Sequence, residues 1–243
     1  LMTRVRKLQK NRTARCDAGE YLGDGVKLLE EALKNHAPLT TIIASFGISL
    51  PPVPDGVRCV AVPEEVMASI SPMESPQGVL FLAQRPDTAP PEILTGQRYL
   101  VLDGVQDPGN VGTIWRTADA FGADGLILLN GCADPYGPKT VRATMGAAFR
   151  LPVWEMEEKQ LMRLLAQAEL PLLGTALRED TEDIRGCDLS RAAVAIGNEG
   201  RGISQSVLAQ CGKTLRIPMR ERCESLNAAS AAAVVLWEMT RGI

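Results

Sequence analysis

Hydrophobic positions along the chain fall into two periods. Short apolar runs at 41–44, 57–62, 79–83, 99–102, 126–129, 172–176, 192–197 and 215–217 predict strands, with briefer ones at 20–22 and 151–154. Between them, apolar residues recur at helical spacing. Val26, Leu28, Leu29, Ala32 and Leu33 predict a helix capped by Asp24, and Pro63 suits the first position of a short helix through Ile70. Val111, Ile114, Trp115, Ala118 and Phe121 mark one apolar face of another helix, with Gly122 as the residue that ends it. Further helices are predicted at 139–149, 157–168 and 224–241, the last rich in alanine, and residues 3–15 predict a basic helix. Strands alternating with helices imply an α/β protein with a mainly parallel sheet covered on both faces.

One stretch interrupts this alternation. Residues 85–97 combine proline, threonine and charge without apolar periodicity, which marks a stiff linker. It divides the chain into a small α/β domain at 1–84 and a larger one at 98–243. No internal repeat is evident.

Composition narrows the classes. With 243 residues, 45% of them hydrophobic and 23% charged, the chain can bury a real core. No segment approaches the length of a membrane helix, and no apolar signal core follows the basic amino terminus. A soluble cytoplasmic enzyme is the expectation. Six cysteines are scattered without a CxxC pair, so neither a metal site nor a disulfide framework is expected. The lone histidine, His36, leaves little material for Ser-His or Cys-His catalysis. Net charge is −3, yet Arg4, Arg6, Lys7, Lys10, Arg12 and Arg15 all precede the first acid, Asp17. Phosphate affinity follows local charge, so Arg4, Arg12 and Arg15 are candidates for RNA contact, against the plainer reading of a solvated helix.

Two glycine-rich turns carry the candidate chemistry. The first, 103–110, leaves a buried strand and enters a helix; in open parallel sheets that edge binds ligands. Gly109-Asn-Val-Gly112 lacks the GxGxxG spacing of a dinucleotide site, which argues against a nicotinamide-dependent dehydrogenase. Asn110 is either a helix N-cap or a ligand residue, and Arg116 either a solvated residue or a functional cation. The second turn, Gly197-Asn-Glu-Gly-Arg-Gly202, follows a predicted strand, and Ser204 suits the cap of the next helix. Gly197, Gly200 and Gly202 let backbone approach a ligand closely. Ile217-Pro218-Met219 offers an apolar strand end suited to an adenine face.

Three segments together resemble the SpoU (TrmH-like) branch of the SPOUT RNA methyltransferases: LDGVQDPGNVGTIWRTADAFGADG at 102–125, VAIGNEGRGIS at 194–204 and IPMRERCESLNAASAAAVVLWE at 217–238. NRTARCDAGEYLGDGVKLLEEAL and ESPQGVLF resemble that family's small amino-terminal, ribosomal-protein-like RNA-binding domain, so the resemblance covers nearly the whole chain. It implies S-adenosylmethionine as methyl donor, a ribose 2′-hydroxyl of tRNA or rRNA as acceptor, a carboxy-terminal trefoil knot and a homodimer. By position, Asn110, Arg116, Glu199, Ser225 and Asn227 match the family's polar active-site residues. Gly197, Ile217 and Leu226 match residues around the cofactor, and Thr175, Gly202 and Met219 join that set. Lys139 and Arg142 fall in a loop that the family uses near RNA. The sequence departs from the family at Arg220-Glu-Arg222, where a small residue or glycine is common, at Ala228-Ala229, where Val-Ser is common, and at Asn198, where Ser or Ala is more usual.

The chemistry suits the residues. An arginine, with pKa above about 12, is a poor general base, so Arg116 is expected to fix an RNA phosphate and stabilise developing alkoxide charge. Glu199 is expected to position Arg116 or the loop, Ser225 to cap the last helix, and Asn227 to orient Arg116 or the ribose. The alternative weighed is a non-catalytic RNA-binding or assembly factor that kept the fold; the intact polar set speaks against it.

Overall fold

The computed structural model describes residues 1–176, 178, 181–220 and 225–241. In chain order the helices are α1 (Met2–Lys10), α2 (Arg12–Ala18), α3 (Val26–Lys34), α4 (Glu64–Ile70), α5 (Pro108–Ala120), α6 (Pro138–Ala143), α7 (Glu158–Gln167), α8 (Gln205–Leu208) and α9 (Ala228–Met239). Strands β1 (Glu20–Asp24), β2 (Leu39–Ser45), β3 (Arg58–Val62) and β4 (Val79–Gln84) precede the linker. After it come β5 (Arg98–Asp103), β6 (Gly125–Leu128), β7 (Val153–Glu155), β8 (Leu172–Thr175), β9 (Glu182–Asp183), β10 (Ala192–Gly197) and β11 (Lys213–Arg216). The chain forms two compact units: residues 1–86 with 134–150, and residues 87–133 with 151–243.

The first unit is a four-stranded sheet in the order β1-β4-β2-β3, antiparallel except for the β2–β3 pair. Val5 and Leu8 bury one face of α1 against Leu22, Ile43, Leu80 and Leu82. The single basic helix expected at 3–15 is two helices. Asn11 is extended (φ −126°), and its Oδ1 accepts the Ala14 N–H at 3.0 Å, so a side chain that competes for backbone donors ends α1 and starts α2. Gly25, at φ +104°, precedes α3 in the cap position, and Asp24 belongs instead to the end of β1.

Residues 134–150, read from sequence as part of the second domain, pack within this first unit. The Tyr136 ring lies 4.9 Å from that of Tyr21, Phe149 lies 6.5 Å from Phe81, and Arg150 pairs with Glu31 at 2.6 Å. The one helix expected at 139–149 breaks after α6. Met145 (φ 49°) and Gly146 (φ 96°) turn left-handed, and a short 3-10 turn, Ala147–Phe149, follows. A Cβ at Gly146 would stand 2.8 Å from the Cβ of Glu31, so both conformation and space demand glycine there.

The second unit is a seven-stranded sheet, β7-β6-β5-β10-β8-β11-β9, in which every pairing is parallel. Its central strands read as unbroken apolar runs because both faces are covered, with Val101, Ile127, Ala193 and Ala195 in one cluster with Leu161, Leu164 and Leu165 of α7. On α5, Val111, Ile114, Trp115 and Ala118 are buried, and the Trp115 indole N–H donates to the Leu151 carbonyl at 3.0 Å. The buried side of α9 begins with Ala228, Ala229 and Ala232, small residues that let it pack closely on α5. This helix opens at Ala228; Glu224, expected to begin it, lies outside the described residues, as do Arg222 and Cys223. Among the described residues, no helix is long and apolar enough to cross a membrane.

Candidate active site

A parallel sheet places the carboxyl ends of its strands along one edge, and here β8 and β10 deliver Thr175 and Gly197 to it. Beside them lies a cavity of about 300 Å³, lined by Thr175, Gly197, Gly202, Ile217, Met219 and Leu226 together with Glu199 and Ser225. Every residue expected around a cofactor lines this one space. Its walls are mostly apolar, from Ile196, Leu215, Ile217 and Leu226, with bare backbone at Gly197, Gly200 and Gly202. Apolar faces with a few fixed polar groups are what a nucleoside-type ligand requires. Gly197 is needed for the turn itself: a Cβ there would sit 2.1 Å from the Gly202 carbonyl carbon and 2.1 Å from the Ile203 nitrogen. Thr175 gives its hydroxyl to the Ala195 carbonyl at 3.0 Å, so its part in the wall is packing and backbone.

A polar chain lies alongside. Asn110 Nδ2 donates to Glu199 Oε1 at 2.9 Å, and Asn227 Nδ2 donates to Asn110 Oδ1 at 3.0 Å. Glu199 also receives longer contacts from the backbone N–H groups of Gln106 and Asp107, each at 3.4 Å. Partial burial pushes the Glu199 carboxyl up, but the Asn110 amide and these backbone donors outweigh it, and its pKa lies below the ordinary 4.5. It is therefore a settled carboxylate and a weak proton acceptor. Its hydrogen bonds run to the loop after β5 and to Asn110, and among the described residues none is found to Arg116.

Two cap assignments change. Asp107, not Asn110, caps α5: its Oδ1 accepts the Asn110 N–H at 2.8 Å, with Pro108 in the first turn. Asn227, not Ser225, caps α9, its Oδ1 accepting the Ala229 and Ser230 N–H groups at 2.8 and 3.4 Å. Ser225 lines the cavity instead. Asn227 thus both starts α9 and grips Asn110, which fixes the front of the last helix to the front of α5. Asp103 was not singled out from the sequence. Its Oδ2 accepts the Ser204 N–H at 2.6 Å and pins the far end of the glycine turn, where Ser204 caps α8 as expected. An acid immediately before the loop was the available signal.

Arg116 stands apart from this network. It is exposed, and among the described residues no partner for its guanidinium is found. Six residues beyond Asn110 on a helix is about 240° of rotation, so the two side chains leave α5 on different sides.

The RNA-contact candidates all fall in the first unit. Lys139 and Arg12 are exposed, and Arg4 is exposed while paired with Glu20 at 2.6 Å. Arg142 is half-buried and attracts the carboxylate of Asp24, whose pKa is nonetheless raised by burial. Arg15 corrects the expectation. Its side chain is 6% exposed, ion-paired with Asp134 and hydrogen-bonded to the Leu8 and Gln9 carbonyls. It is withdrawn from any phosphate because Asp134 neutralises it inside the fold. Among the described residues no group of histidine, cysteine or acidic side chains could hold a metal ion.

An apolar cavity beside a glycine turn, at the carboxyl edge of an all-parallel sheet, defines an α/β domain built for a nucleoside-type cofactor. Residues 97–237 match the SpoU rRNA Methylase family, and residues 2–81 match the MRM3-like substrate binding domain. The chain belongs to the SpoU rRNA methylase family. It is 30% identical over 226 residues to the 23S rRNA (guanosine(2553)-2′-O)-methyltransferase RlmP of Bacillus subtilis, covering 93% of this chain and 90% of the relative. To the 23S rRNA (uridine(2479)-2′-O)-methyltransferase of Streptomyces viridochromogenes it is 31% identical, over 95% of this chain and 86% of the relative. The crystal structure of the SpoU methyltransferase AviRb from Streptomyces viridochromogenes in complex with AdoMet superposes with a TM-score of 0.88 at 28% identity, covering 99% of this chain and 96% of that one.

Proposed function

We propose that this protein transfers a methyl group from S-adenosylmethionine to a ribose 2′-hydroxyl of structured RNA, with ribosomal RNA the leading substrate. The observation that carries this is the convergence of the six cofactor-site residues on one cavity, with Asn110, Glu199 and Asn227 hydrogen-bonded beside it. When bound, the cofactor supplies an electrophilic methyl on a sulfonium. The chain's own part is to hold the reactants in line, the largest effect open to such a site, up to about 7–11 kcal/mol in well-oriented systems. Ile217, Leu215 and Leu226 supply apolar walls, and Gly197, Gly200 and Gly202 let the backbone itself line the cavity where they stand. The lowered pKa of Glu199 argues against it as the proton acceptor. Arg116 binds the phosphate next to the target ribose and stabilises charge as the hydroxyl loses its proton, and Ser225 contacts donor or ribose.

Three further features belong to this reading. The first unit binds the RNA through Arg4, Arg12, Lys139 and Arg142. The carboxy-terminal chain forms a trefoil knot, which is supported by β10 lying between β5 and β8 while the chain beyond β11 returns to set Asn227 against Asn110. The active unit is a homodimer. In its support, Trp237 on α9 is 63% exposed although it meets the Phe121 ring edge-on at 6.0 Å, and Arg116 is left for a surface outside its own chain. The compartment is the cytoplasm.

The test is to incubate the protein with methyl-tritiated donor and ribosomal RNA, then hydrolyse in alkali. A methylated 2′-oxygen cannot attack the neighbouring phosphate, so the label should remain in alkali-resistant dinucleotides. Label released in mononucleotides, or none incorporated, would overturn the assignment. Mapping ribose methylation in RNA from cells with and without the gene then identifies the nucleotide.

A further inference from the structure

Within the glycine turn, Asn198 makes the contacts that the sequence gives least reason to expect. Its Nδ2 donates to the Gly104 carbonyl at 2.8 Å, and its Oδ1 accepts the backbone N–H groups of Gly200 and Arg201 at 3.0 and 3.1 Å. Its own backbone pairs with Gly202 in both directions, at 3.0 and 2.9 Å. Gly104 opens the loop that leaves β5, in a left-handed conformation at φ +69°. One side chain therefore braces the turn after β10 internally and ties it to the loop after β5. Its neighbour Glu199 reaches further along that same loop to Gln106 and Asp107, and on to Asn110 in the first turn of α5. Gly200 and Gly202 have no side chains with which to brace themselves, so the shape of this wall is set from outside them.

We propose that Asn198 is a positioning residue for the methyl donor: it locks the two loops together, gives the cavity its shape, and acts on donor affinity rather than on the transfer step. This rests on the function proposed above. The chemistry of the side chain makes the role specific. Alanine loses all three side-chain bonds, and serine is long enough for the turn's N–H groups but too short for the Gly104 carbonyl. Aspartate keeps the acceptor and turns a carboxylate oxygen against that carbonyl.

The test measures S-adenosylmethionine and S-adenosylhomocysteine affinity by calorimetry, and KM for donor, KM for RNA and kcat. The proteins compared are the wild-type chain, Asn198→Ala, Asn198→Ser and Asn198→Asp. Loss of one net hydrogen bond with its partner left unpaired corresponds to about tenfold in affinity. Donor Kd and KM should rise about tenfold in the alanine and aspartate variants and less in serine. Both kcat at saturating donor and KM for RNA should stay within about twofold. Donor affinity unchanged in alanine and aspartate, or kcat lost at constant donor KM, would overturn the proposal. Should the alanine variant fail to fold, the near-isosteric aspartate variant decides by the same criteria. A wild-type chain that binds neither compound would instead overturn the functional reading on which the proposal stands.

Discussion

Replacing Gly197 by alanine tests the geometry of the cavity wall directly. The new methyl would lie 2.1 Å from two backbone atoms, of Gly202 and Ile203, where carbon contacts settle near about 3.5 Å. Strand and turn must separate by about 1.4 Å, and neither neighbour is a side chain that can swing away. That separation breaks the paired hydrogen bonds between Asn198 and Gly202, at 3.0 and 2.9 Å. Two net hydrogen bonds are worth about 1–3 kcal/mol, and overpacking adds about 1–3 kcal/mol. A loss near 3–4 kcal/mol lowers Tm by about 6–16 °C in a protein of this size. Gly200 is the internal control, because its added methyl would meet only Asn198 Oδ1, at an ordinary 3.7 Å. Scanning calorimetry with and without S-adenosylmethionine should show Gly197→Ala strongly destabilised and no longer shifted by the ligand, and Gly200→Ala melting close to wild type. Equal melting of the two variants would refute the close-approach account of Gly197.

Other outcomes follow from the same coordinates. Arg15→Ala strands the Asp134 carboxylate and should cost about 3–5 kcal/mol, whereas the Arg15→Ala/Asp134→Ala double variant should cost less than the two singles combined; additive losses in urea titrations would show that the pair is not coupled. Because the pKa of Glu199 is lowered on folding, its stabilisation is full above the ordinary value of 4.5 and lost as pH falls through the folded value. Glu199→Gln should therefore be less stable than wild type near neutrality, with the gap narrowing as pH falls below the ordinary carboxylate value, and a gap independent of pH would count against the depressed value. Burial pushes the thiols of Cys132 and Cys211 up to about 11, while Cys16 and Cys59 are exposed. Brief alkylation at mildly alkaline pH, read by mass spectrometry, should label Cys16 and Cys59 and spare the other two until the protein is denatured; early labelling of Cys132 would contradict its environment.

The parallel sheet and the two glycine turns were legible because period and punctuation are local signals. Strand β10 coincides with its apolar run, and Ser204 caps α8 where a cap was expected. What was not legible depends on partners distant in sequence. A run of basic residues says nothing of Asp134, so the burial of Arg15 was invisible. By residue type Asn11 is one more polar position within a helical stretch, and only the bond from the Ala14 N–H to its side chain makes it a break. Asn110 and Ser225 were plausible caps by type, yet Asp107 and Asn227 won because one stands ahead of Pro108 and the other also reaches Asn110. The two-residue strand β9 is too short to leave a periodic trace.

The placement of residues 134–150 bears on how this protein can be recombined. The first unit is stitched from two pieces of chain, the second falling between β6 and β7 in sequence. A chimaera joined at the linker would pair one parent's Asp134, Tyr136 and Arg150 with another parent's Arg15, Tyr21 and Glu31. Exchange of the first unit between relatives therefore requires both pieces to travel together, and its inheritance is discontinuous along the chain.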